Sequence, residues 1–309
     1  MLPLLYNSDT VADAIMEDFE SAPIPEIHKT MFRWVEKFTR RSWDMTAADL
    51  QSLRDQGVAE GDIVDWAQVA ALQTWWVMQA DGGGIPLEGN AVAGQAVGNE
   101  RDWYHTAESG LTAAPPSPPV AVRGAAGNEI AWVETDESND VYQEHAQKAQ
   151  ERWGMVPNLY KATSLKSDIL PRHHLALELL ESPKSSLTPK QHAMARALTT
   201  ALNRAPYARQ TAREQLKRAG AGDALFERVT GDYMQHDWEP QDKVVLDFTA
   251  KMACNAYKVW EADAQAFRDA GLSDEAYVEI VELVSIQSSI DRLGNSLGIA
   301  PDAQPILAT

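Results

Sequence analysis

An internal repeat constrains this chain more than any other feature of its sequence. Residues 28–87 align with residues 242–301 without a gap, at a constant offset of 214 residues. The residues that are identical at this offset are Lys29 and Lys243, Lys37 and Lys251, Ala48 and Ala262, Asp49 and Asp263, Gln51 and Gln265, Arg54 and Arg268, Asp55 and Asp269, Gly57 and Gly271, Val64 and Val278, Gln73 and Gln287, Gly84 and Gly298, and Ile85 and Ile299. Two amphipathic helices can agree by composition alone, but a gapless match with both turn glycines in register argues against that alternative. We call residues 28–87 the first copy and residues 242–301 the second copy.

Each copy has the pattern of a helix, a glycine turn and a long apolar helix. The turns read RDQGV and RDAGL, in which Gly57 and Gly271 suit the left-handed position that follows a helix end. The long helices end in GGGI and SLGI. The glycines at 81–84 do not form a phosphate-binding loop, because no strand precedes them and no Lys-Ser/Thr pair follows. We therefore predict that the long helices of the two copies pack against each other, since each has an apolar face to cover.

The rest of the chain also predicts helices. Apolar residues recur at helical spacing on both sides of a proline-rich segment, which favours an all-α fold. That segment, AAPPSPPVAVRGAAG at residues 113–127, is interpreted as a linker because its prolines block helix formation. The predicted organisation is a partial repeat at residues 1–112, the linker, and a complete helical domain at residues 128–309, which together form an internal pseudo-duplication.

Charge and cysteine content exclude several classes of function. Lys and Arg number 27 against 45 Asp and Glu, a formal net charge of -18, so general affinity for nucleic acid or an anionic membrane is not expected. The single cysteine, Cys254, excludes an intrachain disulfide, a Cys-x-x-Cys redox pair and a cysteine-rich zinc site. The N-terminal residues do not read as a signal peptide, and no apolar stretch reaches the roughly 18 residues of a membrane span. The sequence therefore predicts a cytoplasmic protein.

A series of motifs in the C-terminal part of the chain resembles the carboxymuconolactone decarboxylase and alkylhydroperoxidase D family, in its peroxidase-related branch. The motifs are, in order, IAWVE, RWGMVPNLYKA at 152–162, LTPKQHAMARALTTALNRAPYARQTA at 187–212, KVVLDFTAKM at 243–252, AGLSDEAYVEIV at 270–281 and SIDRLGNSLGI at 289–299. The first copy resembles only the later portion of a second such protein. The resemblance implies an alkylhydroperoxidase D-like helical bundle that assembles from several subunits, so a homo-oligomer is expected.

In the peroxidase members of this family, the resemblance implies a proton relay made of a Glu, a Cys-x-x-Cys pair and a His. One thiolate attacks the peroxide, the second thiol closes a disulfide, and Glu and His move the protons. Alignment of NRAPYARQTA on that site places Ala193 at the Glu position, Ala205 and Ala208 at the two Cys positions, and Ala212 at the His position. None of these four alanines can act as a nucleophile or move a proton. Peroxide reduction through Cys254 alone is chemically poor, because the chain holds no second thiol.

Two groups that can move protons remain beside the lost relay. His192 adjoins the former Glu position and Tyr207 lies between the former Cys positions. We predict His192 as a general acid or base and Tyr207 as a hydrogen-bond donor. His192 also lies one turn before Arg196 on the same predicted helix, so one helix face can carry both. The alternative for each residue is a structural role.

A basic segment follows the lost relay and predicts an anion site. Arg204, Arg209 and Arg213 are predicted to bind a carboxylate or phosphate, with Arg196 and Asp291 facing the same cavity. Such a site would take a small anionic metabolite. The alternative is a solvated helix face, which is the usual role of a run of charges.

No metal or cofactor is expected. His173 and His174 are adjacent, and adjacent side chains on a helix point about 100° apart, which does not suit a metal site. Trp75 and Trp76 of the first copy can line a pocket, form a subunit interface or pack in the core.

The sequence leaves two hypotheses for function. The first is a cysteine-free acid/base enzyme of lyase or decarboxylase type, which acts on a small anionic metabolite. The second is a catalytically inactive family member that binds a ligand or forms an oligomeric interaction surface. Convergence of His192, Tyr207 and Arg209 on one closed cavity would favour the first hypothesis.

Overall fold

The computed structural model describes residues 9–85, 129–181 and 186–308. Within these ranges all regular structure is helical, so the predicted all-α fold is confirmed. The linker predicted at residues 113–127 lies outside the described residues. No helix within the described ranges is long and apolar enough to cross a membrane.

Thirteen α-helices occur in the described part of the chain. They are α1 (Asp9–Asp18), α2 (Glu26–Arg41), α3 (Ala47–Asp55), α4 (Glu60–Gly83), α5 (Asp140–Trp153), α6 (Asn158–Ala162), α7 (Leu170–Glu181), α8 (Pro189–Leu202), α9 (Pro206–Arg218), α10 (Asp223–Thr230), α11 (Pro240–Asn255), α12 (Glu261–Asp269) and α13 (Asp274–Leu297). Short 3-10 helices lie at Ser42–Asp44, Ser164–Ile169, Tyr233–Gln235 and Ala256–Lys258.

Three helices of each copy have the same bounds at the 214-residue offset. Helices α2, α3 and α4 correspond to α11, α12 and α13, and the 3-10 helix after α2 corresponds to the one after α11. Both α4 and α13 have 24 residues and end at a left-handed glycine, Gly84 with φ 60° and Gly298 with φ 61°. Gly57 and Gly271 also have positive φ, as the turn motifs predict. The chain therefore builds the same local structure twice.

The ion pair that fixes the start of the short helix is also repeated. Lys37 Nζ lies 2.7 Å from Asp49 Oδ1, and Lys251 Nζ lies 2.7 Å from Asp263 Oδ2. Each aspartate also accepts the backbone N–H of the residue three positions before it, at 2.7 Å. One carboxylate thus caps the short helix and pairs with a lysine of the preceding helix.

The long helices of the two copies pack against each other. Helix α13 has its most extensive contact with α4. Arg292 Nη1 lies 3.7 Å from Met78 Sδ, and these residues occupy the same position of the two copies. Ser289 Oγ donates to the backbone carbonyl of Ala71 at 2.7 Å. Contact between equivalent positions is the geometry expected around a two-fold axis, here a pseudo-symmetric one.

One hydrophobic core joins both copies and the helices around them. It contains Trp34 and Phe38 of the first copy, Leu293 and Leu297 of the second, and Trp153 of α5. A smaller cluster lies between α8, α9, α10 and α11. Because the larger core is continuous, burial of the first copy depends on the second.

A short segment before α5 forms backbone hydrogen bonds with the end of α13 and the residues that follow it. The backbone N–H of Trp132 donates to the carbonyl of Leu297 at 2.8 Å, and the N–H of Ala300 donates to the carbonyl of Ile130 at 2.7 Å. The Trp132 ring then lies against Gly298, where a Cβ would overlap with the ring. This close approach, together with the positive φ, requires glycine at position 298.

Candidate functional site

The four alanines at the aligned relay positions are buried. Ala193 lies on α8, Ala205 precedes α9, and Ala208 and Ala212 lie on α9. Their exposed fractions are 0%, 1%, 5% and 0%, in that order. Ala193 and Ala212 belong to the smaller core. In this chain these positions therefore serve helix packing.

Helix α8 begins with a capping box that sets the direction of its polar face. Thr188 Oγ1 accepts the N–H of Gln191 at 3.2 Å, and Gln191 Oε1 accepts the N–H of Thr188 at 3.1 Å. His192 and Arg196 follow one turn apart, and each has an exposed fraction of only 2%. One face of α8 therefore presents both groups to the protein interior.

Arg196 is the centre of a buried polar network. Its Nε donates to Gln287 Oε1 at 2.9 Å, and its Nη1 donates to Gln215 Oε1 at 3.0 Å and to the carbonyl of Leu180 at 3.3 Å. Burial lowers the pKa of the Arg196 guanidinium to about 10. The guanidinium remains charged at neutral pH and is held by neutral oxygens.

Asp291 joins the same network through Gln287. Gln287 Nε2 donates to Asp291 Oδ1 at 2.7 Å, and Asn203 Nδ2 donates to Asp291 Oδ2 at 3.0 Å. Burial raises the pKa of Asp291 to about 7, although these hydrogen bonds and the charge of Arg196 oppose the shift. The Arg196 and Asp291 charges are thus bridged by one amide. We call Arg196, Gln215, Gln287, Asp291 and Asn203 the polar core.

His192 lies at the edge of the polar core. Its Nδ1 is 3.4 Å from Gln215 Nε2. Burial, and then the charge of Arg196, lowers the pKa of His192 to about 3, so the imidazole is neutral at pH 7. His192 also reaches a groove of about 420 Å³ that is lined by carboxylates, among them Glu279 and Glu282. Such a groove disfavours an anion beside His192.

Tyr207 points away from the polar core. Its hydroxyl accepts the backbone N–H of Leu159 at 3.3 Å, and its Cβ packs close to Gly294 of α13. Burial, and then the nearby Asp302 carboxylate, raises the pKa of Tyr207 well above its usual value. Tyr207 and His192 therefore share no hydrogen-bond partner in the described structure, although both lie close enough to Arg196 to interact with its charge.

The predicted anion-binding arginines lie mainly on the outer face of α9. Arg213 pairs with Asp223 at 2.8 Å and with Glu227 at 3.4 Å. The guanidinium of Arg209 lies 5.2 Å from the centre of the Phe226 ring. Arg204 is the one described non-glycine residue with positive φ, and its guanidinium lies 4.7 Å from the centre of the Trp43 ring. These contacts are those of the solvated-face alternative, and an anion site at this stripe stays a prediction.

The structure thus brings together part of the predicted site. Arg196 and Asp291 meet through Gln287, and His192 reaches them through Gln215. Tyr207 and the stripe arginines do not join them. The polar core is closed by its own hydrogen bonds, and its members are at most 7% exposed.

A different cavity lies between the two copies. It has a volume of about 220 Å³ and is formed by α2 and α4 of the first copy with α11 and α13 of the second. We call it the inter-copy cavity. Its polar lining consists of Thr39, Gln73, Thr74, Asp81, Cys254, Tyr257 and Arg292. A concave, largely apolar pocket with a few converging polar groups is the usual form of a small-molecule site.

Asp81 and Arg292 supply the charged groups of the inter-copy cavity. Burial raises the pKa of Asp81, and no cation opposes that shift. Arg292 contacts Met78 Sδ, and Met78 lies one turn before Asp81 on α4. The acid and the cation therefore line the same cavity.

Sequence reasoning missed this cavity, although the repeat contains a signal for it. Three lining positions of α4, Gln73, Val77 and Asp81, correspond to Gln287, Asp291 and Asn295 of α13. In the second copy α8 and α9 cover these positions and complete the polar core. In the first copy no described helix takes that place, so the same positions line a cavity.

The remaining charged groove and His174 have structural explanations. The groove between α2 and α3, about 830 Å³, contains Lys37 and Asp49, whose ion pair recurs in the second copy. His174 Nδ1 is hydrogen-bonded to the Tyr160 hydroxyl at 2.8 Å. Among the described residues no group of three or more His, Cys, Asp or Glu side chains is arranged to hold a metal ion.

Two solved structures are similar to this chain. One is an uncharacterized peroxidase-related protein from Silicibacter sp. TM1040, with a TM-score of 0.49 and 21% identity over 62% of this chain and 92% of that chain. The other is described as an alkylhydroperoxidase AhpD core, an uncharacterized peroxidase-related protein from Ralstonia eutropha JMP134, with a TM-score of 0.48 and 21% identity over 64% of this chain and 98% of that chain. No protein-family model and no curated protein matches the sequence.

Proposed function

We propose that this protein is a cysteine-independent enzyme that transfers protons on a small carboxylate-bearing metabolite bound in the inter-copy cavity. The observation that carries the proposal is the presence of Asp81 and Arg292 in one cavity of about 220 Å³. That volume suits a molecule of a few heavy atoms, since drug-sized ligands occupy roughly 300–1,000 Å³.

Asp81 has the role of general acid or base. A carboxyl whose pKa is raised by burial holds and releases its proton closer to neutral pH than an exposed one. As a carboxylate it accepts a proton from the substrate, and as an acid it returns a proton to another substrate atom. The step needs no oxidant or reductant, because only a proton moves.

Arg292 has the role of holding the substrate carboxylate. A guanidinium binds a carboxylate through charge-assisted hydrogen bonds. Its side chain contacts Met78, and its charge lowers the pKa of Cys254, which lines the same cavity. A carboxylate bound at Arg292 therefore places the rest of a small molecule within the cavity.

The state of Cys254 supports a function without thiol chemistry. Burial raises the pKa of Cys254 to about 11, so almost no thiolate is present at neutral pH. The chain has no other cysteine that could resolve an oxidised Cys254. The alanines in the aligned relay are packed in the core, which supports the same conclusion.

The Arg292→Gln variant tests the binding role. We expect it to weaken binding of small carboxylates about 10-fold to 100-fold, because a charge-assisted hydrogen bond contributes roughly 1.5–3 kcal/mol. Calorimetric titration with acetate, pyruvate, malonate and succinate measures this change. Arg268→Gln is the matched control, since Arg268 belongs to the same copy but pairs with Asp274 at the surface. Equal affinity in Arg292→Gln and wild type would place the carboxylate elsewhere.

The Asp81→Asn variant tests the catalytic role with the same ligands. Asparagine preserves the shape but cannot accept a proton, so binding should persist while turnover falls about 10²-fold to 10⁴-fold. Exchange of the carbon-bound hydrogens of the bound ligand for deuterium from D₂O, followed by NMR, gives the rate. Undiminished exchange in Asp81→Asn would overturn the assignment. Binding without exchange in the wild type would favour a ligand-binding protein.

An uncovered face of α4 supports a second candidate, an oligomeric interaction protein that associates with a second copy of this chain. Val69, Trp76 and Ile85 are 58%, 56% and 59% exposed. The equivalent residues of the second copy, Leu283, Ile290 and Ile299, are 3%, 4% and 1% exposed. Equivalent positions of the repeat are thus buried in the second copy and exposed in the first copy. A second copy of this chain is the occupant that would bury them by packing one α4 against another.

Trp76→Glu tests this association. A charge at the centre of the apolar face should convert a dimer to a monomer at micromolar concentration, because the buried carboxylates would repel each other. Light scattering coupled to size exclusion measures the mass. Met234→Glu, which replaces an exposed apolar residue on a different surface, should leave the mass unchanged. A monomeric wild type, or a dimeric Trp76→Glu variant, would contradict the proposal.

A further inference from the structure

A second, much smaller cavity lies where α4, α7 and α13 meet. Its volume is about 50 Å³, and Trp75, Arg172, His173, Ser289 and Ile290 are part of its lining. Trp75 and Ser289 occupy the same position of the two copies, so the cavity lies at the contact between them. It is separate from the inter-copy cavity, which α7 does not line.

Three hydrogen-bond donors around this cavity are buried and have no partner in the described part of the protein. They are Arg172 Nη1, Trp75 Nε1 and His173 Nε2. His173 is 2% exposed. Burying an unpartnered donor destabilises the folded protein, and a charged donor does so more strongly. Three such donors around one cavity indicate a shared acceptor.

The charge of the site identifies the kind of acceptor. The other end of the Arg172 guanidinium, Nη2, donates to Ser289 Oγ at 3.2 Å, and Ser289 in turn donates to the carbonyl of Ala71. No described carboxylate forms an ion pair with Arg172. Burial lowers the pKa of the Arg172 guanidinium. A half-buried cation without a counter-charge favours an anion.

We propose that this cavity binds a monovalent anion of the size of chloride, held by Arg172 Nη1, Trp75 Nε1 and His173 Nε2. The cavity volume of about 50 Å³ limits the size of the ligand, because one water already occupies roughly 30 Å³ in the liquid. A metabolite is therefore too large for this cavity. Neutral His173 donates from Nε2 when its proton is on that nitrogen. The anion links α4 of the first copy to α7, and it stabilises their contact.

Thermal unfolding in sodium chloride and in sodium gluconate at equal ionic strength tests the site. Gluconate is too large for the cavity, whereas an anion that binds only the folded protein raises the unfolding midpoint with its concentration. The wild type should show a chloride-specific increase in midpoint that saturates. Trp75→Phe, which keeps the ring and removes the donor, should need at least tenfold more chloride for the same increase.

Trp66→Phe is the matched control, because Trp66 lies on the same helix and also has a buried, unpartnered indole N–H outside this cavity. It should keep the wild-type chloride response, and Arg172→Gln should abolish it. Bromide in place of chloride should give an anomalous scattering peak between the three donors. Identical midpoints in chloride and gluconate, an unchanged response in Trp75→Phe, or a cavity without bromide would overturn the proposal.

Discussion

Arg196→Met should lower the free energy of unfolding by about 3–5 kcal/mol, because two buried amide oxygens lose their donor, at roughly 1–3 kcal/mol each, and the buried Asp291 loses a nearby cation. Methionine keeps the volume of the side chain but cannot donate to Gln287, Gln215 or the carbonyl of Leu180. The side-chain oxygens of Gln287 and Gln215 would lose this donor, whereas the Leu180 carbonyl would keep its hydrogen bond from Gln215 Nε2. Asp291 would lose the nearby cation that lowers its pKa. Urea unfolding at pH 7, followed by circular dichroism, measures the change.

The pH dependence of this loss follows from Asp291. Its folded pKa, about 7, lies above the value in the unfolded chain, so the folded state binds more protons and stability falls as pH rises toward the folded pKa. Removing Arg196 raises the folded pKa further and extends that fall to higher pH. The difference between wild type and Arg196→Met should therefore be larger at pH 8 than at pH 6. Arg213→Met, which removes a surface ion pair, should cost far less. Equal losses in the two variants would contradict the buried network.

Gly298→Ala should cost about 2–5 kcal/mol. A left-handed alanine costs roughly 1–2 kcal/mol, and overpacking against a fixed neighbour adds roughly 1–3 kcal/mol. The neighbour here is the Trp132 ring, which is itself buried and would have to move. The midpoint of urea unfolding should fall, with the slope unchanged.

Gly84→Ala is the internal control for this prediction. Gly84 has the same positive φ at the same position of the first copy, but a Cβ there would meet no atom within 4 Å. Gly84→Ala should lose only the unfolding free energy that a left-handed alanine costs. The difference in unfolding free energy between the two variants then measures the contact with Trp132. Equal losses of unfolding free energy in the two variants would mean that the Trp132 ring moves aside at no energetic cost, which would contradict the prediction.

The sequence predicted the local structure of the two copies well, because local structure follows from residue type and spacing. The glycines at 57 and 271 end helices as expected, and His192 and Arg196 share a buried face of α8. The all-α fold followed from the same helical spacing.

The site was less predictable, because it depends on contacts between distant segments. The charge run on α9 gave no sign that Arg213 would meet Asp223 of the next helix. Likewise, nothing local to Met78 or Arg292 shows that equivalent positions of α4 and α13 meet. Residues that differ between equivalent positions of the two copies are the sequence signal for the inter-copy cavity. Asp81 in place of Asn295 and Arg292 in place of Met78 are such differences.

The most direct measurement of the central claim uses Cys254, the single thiol of the chain, as a reporter inside the inter-copy cavity. The rate of its alkylation by iodoacetamide is followed by mass spectrometry at pH 9, since burial raises its pKa to about 11 and slows reaction at lower pH. The carboxylate that binds best in calorimetry should slow alkylation in proportion to its occupancy, and Arg292→Gln should abolish this protection at the same ligand concentration. A carboxylate that binds with measurable heat but leaves the alkylation rate of Cys254 unchanged would contradict the account.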